Sequence, residues 1–196
     1  VGQSNAAANN VEAYDLKVRY QFDLDDIGLD DWGTMTFNLG ATKIDKWEYQ
    51  KFVTDPVSSP LGKRNRFLGE APPLPELKAN LRIGWVRGNH SVSFSSHYID
   101  EIEYDGYNWG GSFFNQFPYF NGLNISERDT LRPSTVSDVV YNYRGLDFMG
   151  TNVDLSLGSR NVFDRLPQRV NDFAGMESIL YDARGRLVYG RISIEF

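Results

Sequence analysis

The sequence predicts an all-β protein made of about seven long antiparallel strands. Three observations lead to this fold class: apolar and polar residues alternate with a period of two, the alternating stretches are long, and short and long connections follow one another. Tilted strands of about 9–11 residues cross a lipid bilayer, whereas strands of globular proteins average about 5–6 residues. An up-and-down transmembrane β-barrel segment is therefore favoured over a soluble β-sandwich, although a sandwich would alternate equally well.

The first two predicted strands occupy residues 14–22 and 34–42. Their apolar residues fall at even-numbered positions in the first strand and at odd-numbered positions in the second. A turn rich in aspartate joins them. Residues 46–76 contain five of the eight prolines. Because proline cannot donate to a sheet ladder, this segment is expected to be a long loop.

Five further stretches alternate in the same way. They cover residues 77–85, 92–98, 139–143, 153–157 and 190–196. Tight turns join the first two stretches and the next two, whereas the long loops 105–133 and 164–183 separate the pairs. In an antiparallel sheet with these connections, all short turns lie at one end and all long loops at the other.

Aromatic residues gather near the end of the strands that carries the short turns. Amphipathic rings at one height are typical of the interface between lipid and water. We therefore expect an aromatic girdle made of Tyr20, Phe22, Trp32, Trp85, Tyr143 and Phe196.

Charge and composition exclude several classes of protein. The chain of 196 residues has a net charge of −6 and no long basic run, so nucleic acid is not an expected partner. No apolar run approaches the roughly 18 residues of a membrane-spanning helix. Cysteine is absent, which excludes disulfides and cysteine-ligated metals.

Sequence motifs of enzymes and metal sites are also missing. There is no P-loop, no G-x-G-x-x-G and no G-x-S-x-G, and the two histidines, His90 and His97, do not form H-E-x-x-H. Four aspartates crowd residues 25–31, but their spacing is not that of an EF-hand, so a solvated turn is favoured over a calcium site. We expect no enzyme activity, no cofactor and no metal.

The second long loop contains the segment Y-N-W-G-G-S-F-F-N-Q-F-P-Y-F-N-G. Aromatic faces stack on flat ligand surfaces, and neighbouring amides fix the orientation of the ligand, so a sugar ring or an aromatic siderophore group would suit this loop. The alternative is that the rings pack on one another and fold the loop. The candidate ligand-binding residues are Tyr107, Trp109, Phe113, Phe114, Phe117, Tyr119 and Phe120.

The C-terminal region resembles that of TonB-dependent outer-membrane receptors. S-R-N-V-F-D-R-L-P is followed by Y-D-A-R-G-R-L-V-Y-G-R-I-S-I-E-F. Members of that family commonly end with Asn-apolar-Phe-Asp, a proline, Tyr-Asp-x-x-Gly-Arg and a final strand closing on Phe. D-L-K-V-R-Y-Q-F, G-T-M-T-F-N-L and L-K-A-N-L-R-I-G-W fit the pattern of earlier strands, so the resemblance spans nearly all of the chain.

The resemblance implies that residues 1–196 are the C-terminal portion of a 22-stranded barrel in the outer membrane of a Gram-negative bacterium. It implies short turns in the periplasm, long loops outside, and lipid around the barrel. Its partners would be the remaining strands, an N-terminal plug that this sequence does not show, and TonB acting through that plug. The implied function is active uptake of a scarce nutrient such as siderophore-iron, cobalamin or an oligosaccharide, without chemistry on the nutrient.

Two sets of residues take roles from this resemblance. The barrel-assembly signal would fall on Tyr189, Gly190, Ile192, Ile194 and Phe196, although Gly190 stands one place earlier than in the usual form. Charged residues on the polar side of the strands would line the wall and contact the plug or, less favoured, an anionic substrate. These are Lys17, Arg19, Lys78, Arg82, Arg144 and Arg160.

Seven strands do not make a complete barrel of the usual bacterial kind, which has an even number. Two open edges in lipid would leave backbone groups unsatisfied, at a cost of several kcal/mol each. We therefore expect the chain to be one piece of a larger barrel. The alternatives are a passive porin-like or adhesin barrel segment, and a soluble β-sandwich that acts as a binding module.

Overall fold

The structure, a computed structural model, describes residues 8–65, 72–103, 130–148, 150–170 and 175–195. These residues form nine strands and one 3-10 turn at Leu24–Ile27. The strands are β1 (Ala8–Asp23), β2 (Thr34–Gln50), β3 (Leu77–Arg87), β4 (His90–Ile99), β5 (Ile102–Glu103), β6 (Thr130–Leu131), β7 (Ser134–Phe148), β8 (Thr151–Arg160) and β9 (Leu187–Glu195). No helix in these ranges has the length and hydropathy needed to cross a membrane.

Seven of the strands form one antiparallel sheet in the order β1-β2-β3-β4-β7-β8-β9. The prediction of an all-β fold with seven long antiparallel strands is confirmed. The sheet is not closed: β1 and β9 are its two edges. A second sheet, which the sequence did not predict, consists of the short strands β5 and β6.

The connections between neighbouring strands alternate in length as predicted. The turns between β1 and β2, β3 and β4, and β7 and β8 lie together at what we call the short-turn end of the sheet. The connections between β2 and β3, β4 and β7, and β8 and β9 are long and start from the opposite edge, the long-loop end. The β5–β6 pair belongs to the middle long connection.

The pairing register separates apolar from polar side chains. Val18 pairs with Leu39, which pairs with Leu81, and these residues belong to one face of the sheet, the apolar face. Their chain neighbours belong to the other, the polar face, where Arg19 pairs with Asn38. Successive side chains of a strand point to opposite sides, so an unbroken register keeps the two sets apart across the sheet.

The apolar face has little packed against it. Tyr14 and Leu16 near one edge are 64% and 52% exposed, and Ile192 at the other edge is 68% exposed. Buried apolar residues are few in the described part of the chain, and they lie mainly in the connections: Leu24, Ile102, Leu131, Val153 and Val170. A second sheet covering this face, as in a β-sandwich, does not occur among the described residues.

A tight contact on the polar face joins the last strand to the sheet. Gly158 of β8 pairs directly with Tyr189 of β9. A Cβ atom at position 158 would overlap Cζ of the Tyr189 ring and lie 2.7 Å from its Cε1 atom. The tyrosine ring therefore lies over the glycine, and only glycine leaves room for it.

We predict that Gly158→Ala destabilises the protein by about 1–3 kcal/mol, because the new methyl group must displace the Tyr189 ring. Urea unfolding of the purified full-length protein measures the change. Gly40→Ala is the matched control, since a Cβ atom at this strand glycine meets nothing within 4 Å. Adding Tyr189→Ala should remove the excess cost, and an equal cost with and without the tyrosine would refute the explanation.

Candidate functional site

The polar face forms a concave groove with a volume of about 980 Å³. Strands β1 to β4 supply its walls, because the alternation of each strand directs polar side chains to this side. The polar residues that line it include Lys17, Arg19, Asn38, Asn80, Arg82 and His97.

Hydrogen bonds fix several of these side chains in place. Arg19 Nε donates to Asn38 Oδ1 at 3.0 Å, and Asn38 also pairs in register with Arg82 on the next strand. His97 Nδ1 lies 2.6 Å from Asn80 Oδ1. The two asparagine side chains thus hold an arginine and a histidine of neighbouring strands against the wall.

The groove is cationic although the chain as a whole is acidic. Lys17, Arg19 and Arg82 line it, and none of its lining residues is an aspartate or glutamate. None of these three cations forms an ion pair with another described residue. Unneutralised cations on a concave surface concentrate positive potential, so the groove suits a carboxylate or phosphate group.

The other predicted wall charges have different positions. Lys78 pairs with Thr42 on the polar face, next to the groove, and Arg160 pairs with Leu187 at the far side of the sheet. Arg144 lies where the β7–β8 register shifts between Tyr143 and Leu146, so strict alternation does not assign it to a face.

At the long-loop end, the three long connections pack on one another. Ile102 of β5 and Leu131 of β6, which pair in register, form a buried cluster with Val170 from the β8–β9 connection. The backbone of Lys63, in the β2–β3 connection, forms an isolated β-bridge with the backbone of Glu103 in β5. We call this assembly the loop cluster; it includes Glu103 and Thr130, the residues on either side of the segment 104–129.

The predicted ligand-binding residues belong to that segment. Tyr107, Trp109, Phe113, Phe114, Phe117, Tyr119 and Phe120 all lie outside the described residues. Their contact with a sugar or siderophore therefore stays a prediction. The strands that precede and follow the segment, β5 and β6, pair with each other in an antiparallel arrangement.

A buried ion pair joins two of the long connections. Arg64, 8% exposed, donates from Nε to Oε2 of Glu177, which is 1% exposed. Glu177 also accepts the backbone N–H of Ile179 through Oε1 at 2.9 Å. Next to it, burial and the charge of Glu177 raise the pKa of Tyr181. These residues have no sequence periodicity, so sequence analysis could not find them.

The two stretches that carry the family resemblance meet in space. Asn161 donates from Nδ2 to the carbonyl oxygens of Arg165 and Arg184, at 2.7 Å and 3.4 Å. Asp164 Oδ1 accepts the backbone N–H of Arg186 at 2.7 Å. A Cβ atom at Gly185 would lie 2.7 Å from Asp164 Oδ1, so a larger residue there would displace this carboxylate. The motif thus fixes the connection that leads into β9.

The residues of the predicted assembly signal lie on both faces of β9. Gly190, Ile192 and Ile194 pair with apolar-face residues of β8, whereas Tyr189 belongs to the polar face opposite Gly158. Phe196 lies outside the described residues. The apolar part of the signal therefore lies on an edge strand, whose outer backbone groups have no strand partner in the described sheet.

The aromatic residues of the predicted girdle that the structure describes are near the short-turn end. The rings of Tyr20 and Phe22 stack with centroids 5.6 Å apart. Trp85 donates from Nε1 to the carbonyl oxygen of Trp32 at 2.8 Å. The rings of Tyr143 and His90 are in edge-on contact, with centroids 4.8 Å apart. Phe196, the sixth girdle residue, is outside the described part.

The described residues contain no group of three or more potential metal ligands. In the aspartate-rich turn, Asp25 Oδ1 accepts the backbone N–H of Asp31 at 2.9 Å, which is a structural role within the turn. His90 and His97 lie on opposite faces, near Tyr141 and Asn80 respectively.

Comparison with known proteins identifies no relative of this chain. No protein-family model matches it, and neither does any curated protein or solved structure. The function is therefore inferred from the residues, their arrangement in the sheet and the resemblance of the C-terminal motif.

We predict that Glu177→Gln lowers the free energy of unfolding by about 3–5 kcal/mol, because it removes the carboxylate charge that Arg64 Nε contacts in a buried ion pair. The double variant Arg64→Met/Glu177→Leu should cost less than either single charge removal. Chemical unfolding of Arg64→Met, Glu177→Leu and the double variant measures the coupling, and additive costs would contradict a buried pair.

The matched control is the exposed pair of Asp182 and Arg184. Hydrogen bonds from Arg184 lower the pKa of Asp182 to about 2. Any stability that this pair contributes is therefore present above the pKa of an unfolded aspartate, about 4, and is lost progressively as the pH falls from about 4 through about 2. Because water screens the pair, Asp182→Asn should change stability little at neutral pH.

Proposed function

We propose that the chain forms the C-terminal part of the barrel of a TonB-dependent outer-membrane transporter. In this proposal the apolar face contacts lipid, the polar face lines the barrel interior, and the loop cluster faces the outside of the cell. The chain supplies wall and outer loops for active uptake of a scarce nutrient, siderophore-iron, cobalamin or an oligosaccharide, and performs no chemistry on it.

The observation that carries the proposal is the distribution of side chains over the sheet. Apolar residues are exposed on one face, while the opposite, concave face is polar and charged. In water such a sheet would expose far more apolar surface than a stable protein tolerates. A bilayer around the apolar face removes this cost, and strands of 9 to 17 residues are long enough to cross it.

The open edges support the presence of further strands. β1, 16 residues long, and β9 each have one side without a strand partner in the described sheet. Unpaired backbone groups are costly in hydrocarbon, so a barrel wall must continue from both edges. A barrel of 22 strands, as the family resemblance implies, would provide these neighbours.

The cationic groove supports a plug as the interior partner. Lys17, Arg19 and Arg82 form no ion pair with a described residue, and no acidic residue lines the groove. A plug segment that presents carboxylates would neutralise them, and a wall-bound anionic nutrient is the alternative occupant.

The first experiment separates the membrane proposal from its alternatives. Cells that produce the native polypeptide containing this sequence are fractionated, and its intact mass and extraction are measured. We expect an outer-membrane protein that requires detergent and has several times the mass of this chain. Extraction without detergent would instead indicate a soluble β-sandwich, and a membrane protein of this chain's own mass would indicate an oligomeric pore.

Energy coupling is tested by nutrient uptake. Uptake of the nutrient by cells with and without TonB distinguishes a transporter from a porin-like or adhesin barrel. We expect uptake to require TonB, and uptake that persists undiminished without TonB would refute active transport.

We predict opposite outcomes for two lysine substitutions on β1. Val18→Lys places a charge on the proposed lipid face and should destabilise the membrane-inserted protein by about 2–4 kcal/mol. Gln21→Lys, on the polar face of the same strand, should change stability by less than about 1 kcal/mol. Unfolding in lipid vesicles measures both variants, and equal effects would contradict the assignment of the two faces.

A further inference from the structure

We propose that the short-turn end of the apolar face binds the phosphate of an anionic phospholipid, an inference that rests on the proposed contact of this face with lipid. The site is a pocket of about 560 Å³ lined by residues that include Trp85, Arg87, His90 and Tyr143. A volume of this size is typical of small-ligand sites.

The register places these residues in order along the apolar face. Arg87 pairs with His90, and His90 pairs with Tyr143, so the three form one row at the end of β3, β4 and β7. Trp85 and Val92 form the next row towards the centre of the sheet. Going towards the short-turn end, the face changes from aliphatic to aromatic and then to charged. The layers of a bilayer follow the same order: hydrocarbon, interface and head groups.

Arg87 supplies a positive charge that no described residue neutralises through an ion pair. Its guanidinium Cζ lies 5.1 Å from the centre of the Trp32 ring. The backbone of Trp32 is in turn held by the hydrogen bond from Trp85 Nε1. Arg87 forms no ion pair with any other described residue. An arginine that stacks on an aromatic ring keeps its remaining donors available for a phosphate.

His90 supplies a second donor beside the arginine. Its Nδ1 atom lies 2.8 Å from the Tyr141 hydroxyl, and its ring contacts Tyr143 edge-on. When the tyrosine hydroxyl donates to Nδ1, the hydrogen of the neutral ring is on Nε2, which can then donate to a phosphate oxygen. Two neighbouring donors, one of them charged, match the oxygens of one phosphate group.

The charge of the site selects among lipid head groups. No aspartate or glutamate lines the pocket, so it offers no carboxylate to the ammonium group of a zwitterionic lipid. Phosphatidylglycerol has a phosphate that would neutralise the charge of Arg87, and it carries no cationic group. We therefore expect this lipid to be preferred over phosphatidylcholine.

The test is photo-crosslinking of the intact detergent-purified protein reconstituted in vesicles. Photoreactive phosphatidylglycerol or phosphatidylcholine is included, and mass spectrometry quantifies labelled peptides that cover residues 85–90. We expect phosphatidylglycerol to label these peptides preferentially and unlabelled phosphatidylglycerol to compete. Inorganic phosphate should compete poorly, because it lacks the acyl chains; effective competition would indicate a free-phosphate site and overturn the assignment to a lipid.

Variants assign the preference to the named residues. Arg87→Gln should lower labelling by phosphatidylglycerol about fivefold, the effect of one basic residue near an anionic surface. Arg87→Lys should keep most of it because the charge remains. Arg191→Gln is the matched control, an exposed arginine on the polar face of β9, and should have no effect. An equal loss in the Arg87 and Arg191 variants would overturn the site.

The outcomes also separate this inference from the proposed function. Equal labelling of residues 85–90 by both lipids, together with labelling of apolar-face peptides of β1 and β9, would overturn the phosphate site and leave the membrane proposal intact. If neither lipid labels any apolar-face peptide, both the site and the proposed lipid contact are refuted.

Discussion

The pairing register of the seven long strands is the constraint on which the other features depend. Arg19, Asn38 and Arg82 lie in one row on the polar face only because each strand is aligned with the next to the residue. A slip by one position between β2 and β3 would move Arg82 among the leucines and valines of the apolar face. The same slip would divide the groove. The hydrogen-bonded ladder therefore determines both the electrostatic character of one surface and the hydrophobicity of the other.

The sheet distributes its side chains in the reverse of the manner usual for a soluble domain. Its concave side is polar, and its opposite side carries exposed apolar residues such as Tyr14 and Ile192. Among the described residues, the buried hydrophobic cluster belongs to the loop cluster around Ile102. Under the proposed function, the stability of the wall comes from backbone hydrogen bonds in a medium without competing water, and the packed core stabilises only the outer connections.

Much of this fold could be predicted because strand alternation is a local signal. The period of two in residues 14–22 and 34–42 predicted strands. The lengths of the turns and loops predicted that consecutive long strands are neighbours in the sheet. The ends of β1 and β2 extended beyond the prediction, to Ala8 and Gln50. There the partner strand supplies backbone hydrogen bonds to residues whose pattern is irregular, including the bulge after Glu12.

The cations of the groove were predictable from the sequence, but the contacts that hold them were not. The cations of the groove were assigned to the polar side from alternation alone, whereas their asparagine partners emerged only from the register between strands. The contact of Gly158 with Tyr189 and the ion pair of Arg64 with Glu177 join residues distant in sequence. Such contacts depend on tertiary packing, which leaves no period in a single sequence.

The ion pair also has a consequence for the order in which the chain folds. Arg64 and Glu177 are separated by 113 residues, and strands β3, β4, β7 and β8 lie between them in the sequence. A contact of such long range closes late, because the entropy of a large loop must be lost before the contact repays it. The long connections therefore reach their final arrangement only when nearly the whole sheet exists, so a partly assembled sheet would have an unfinished long-loop end.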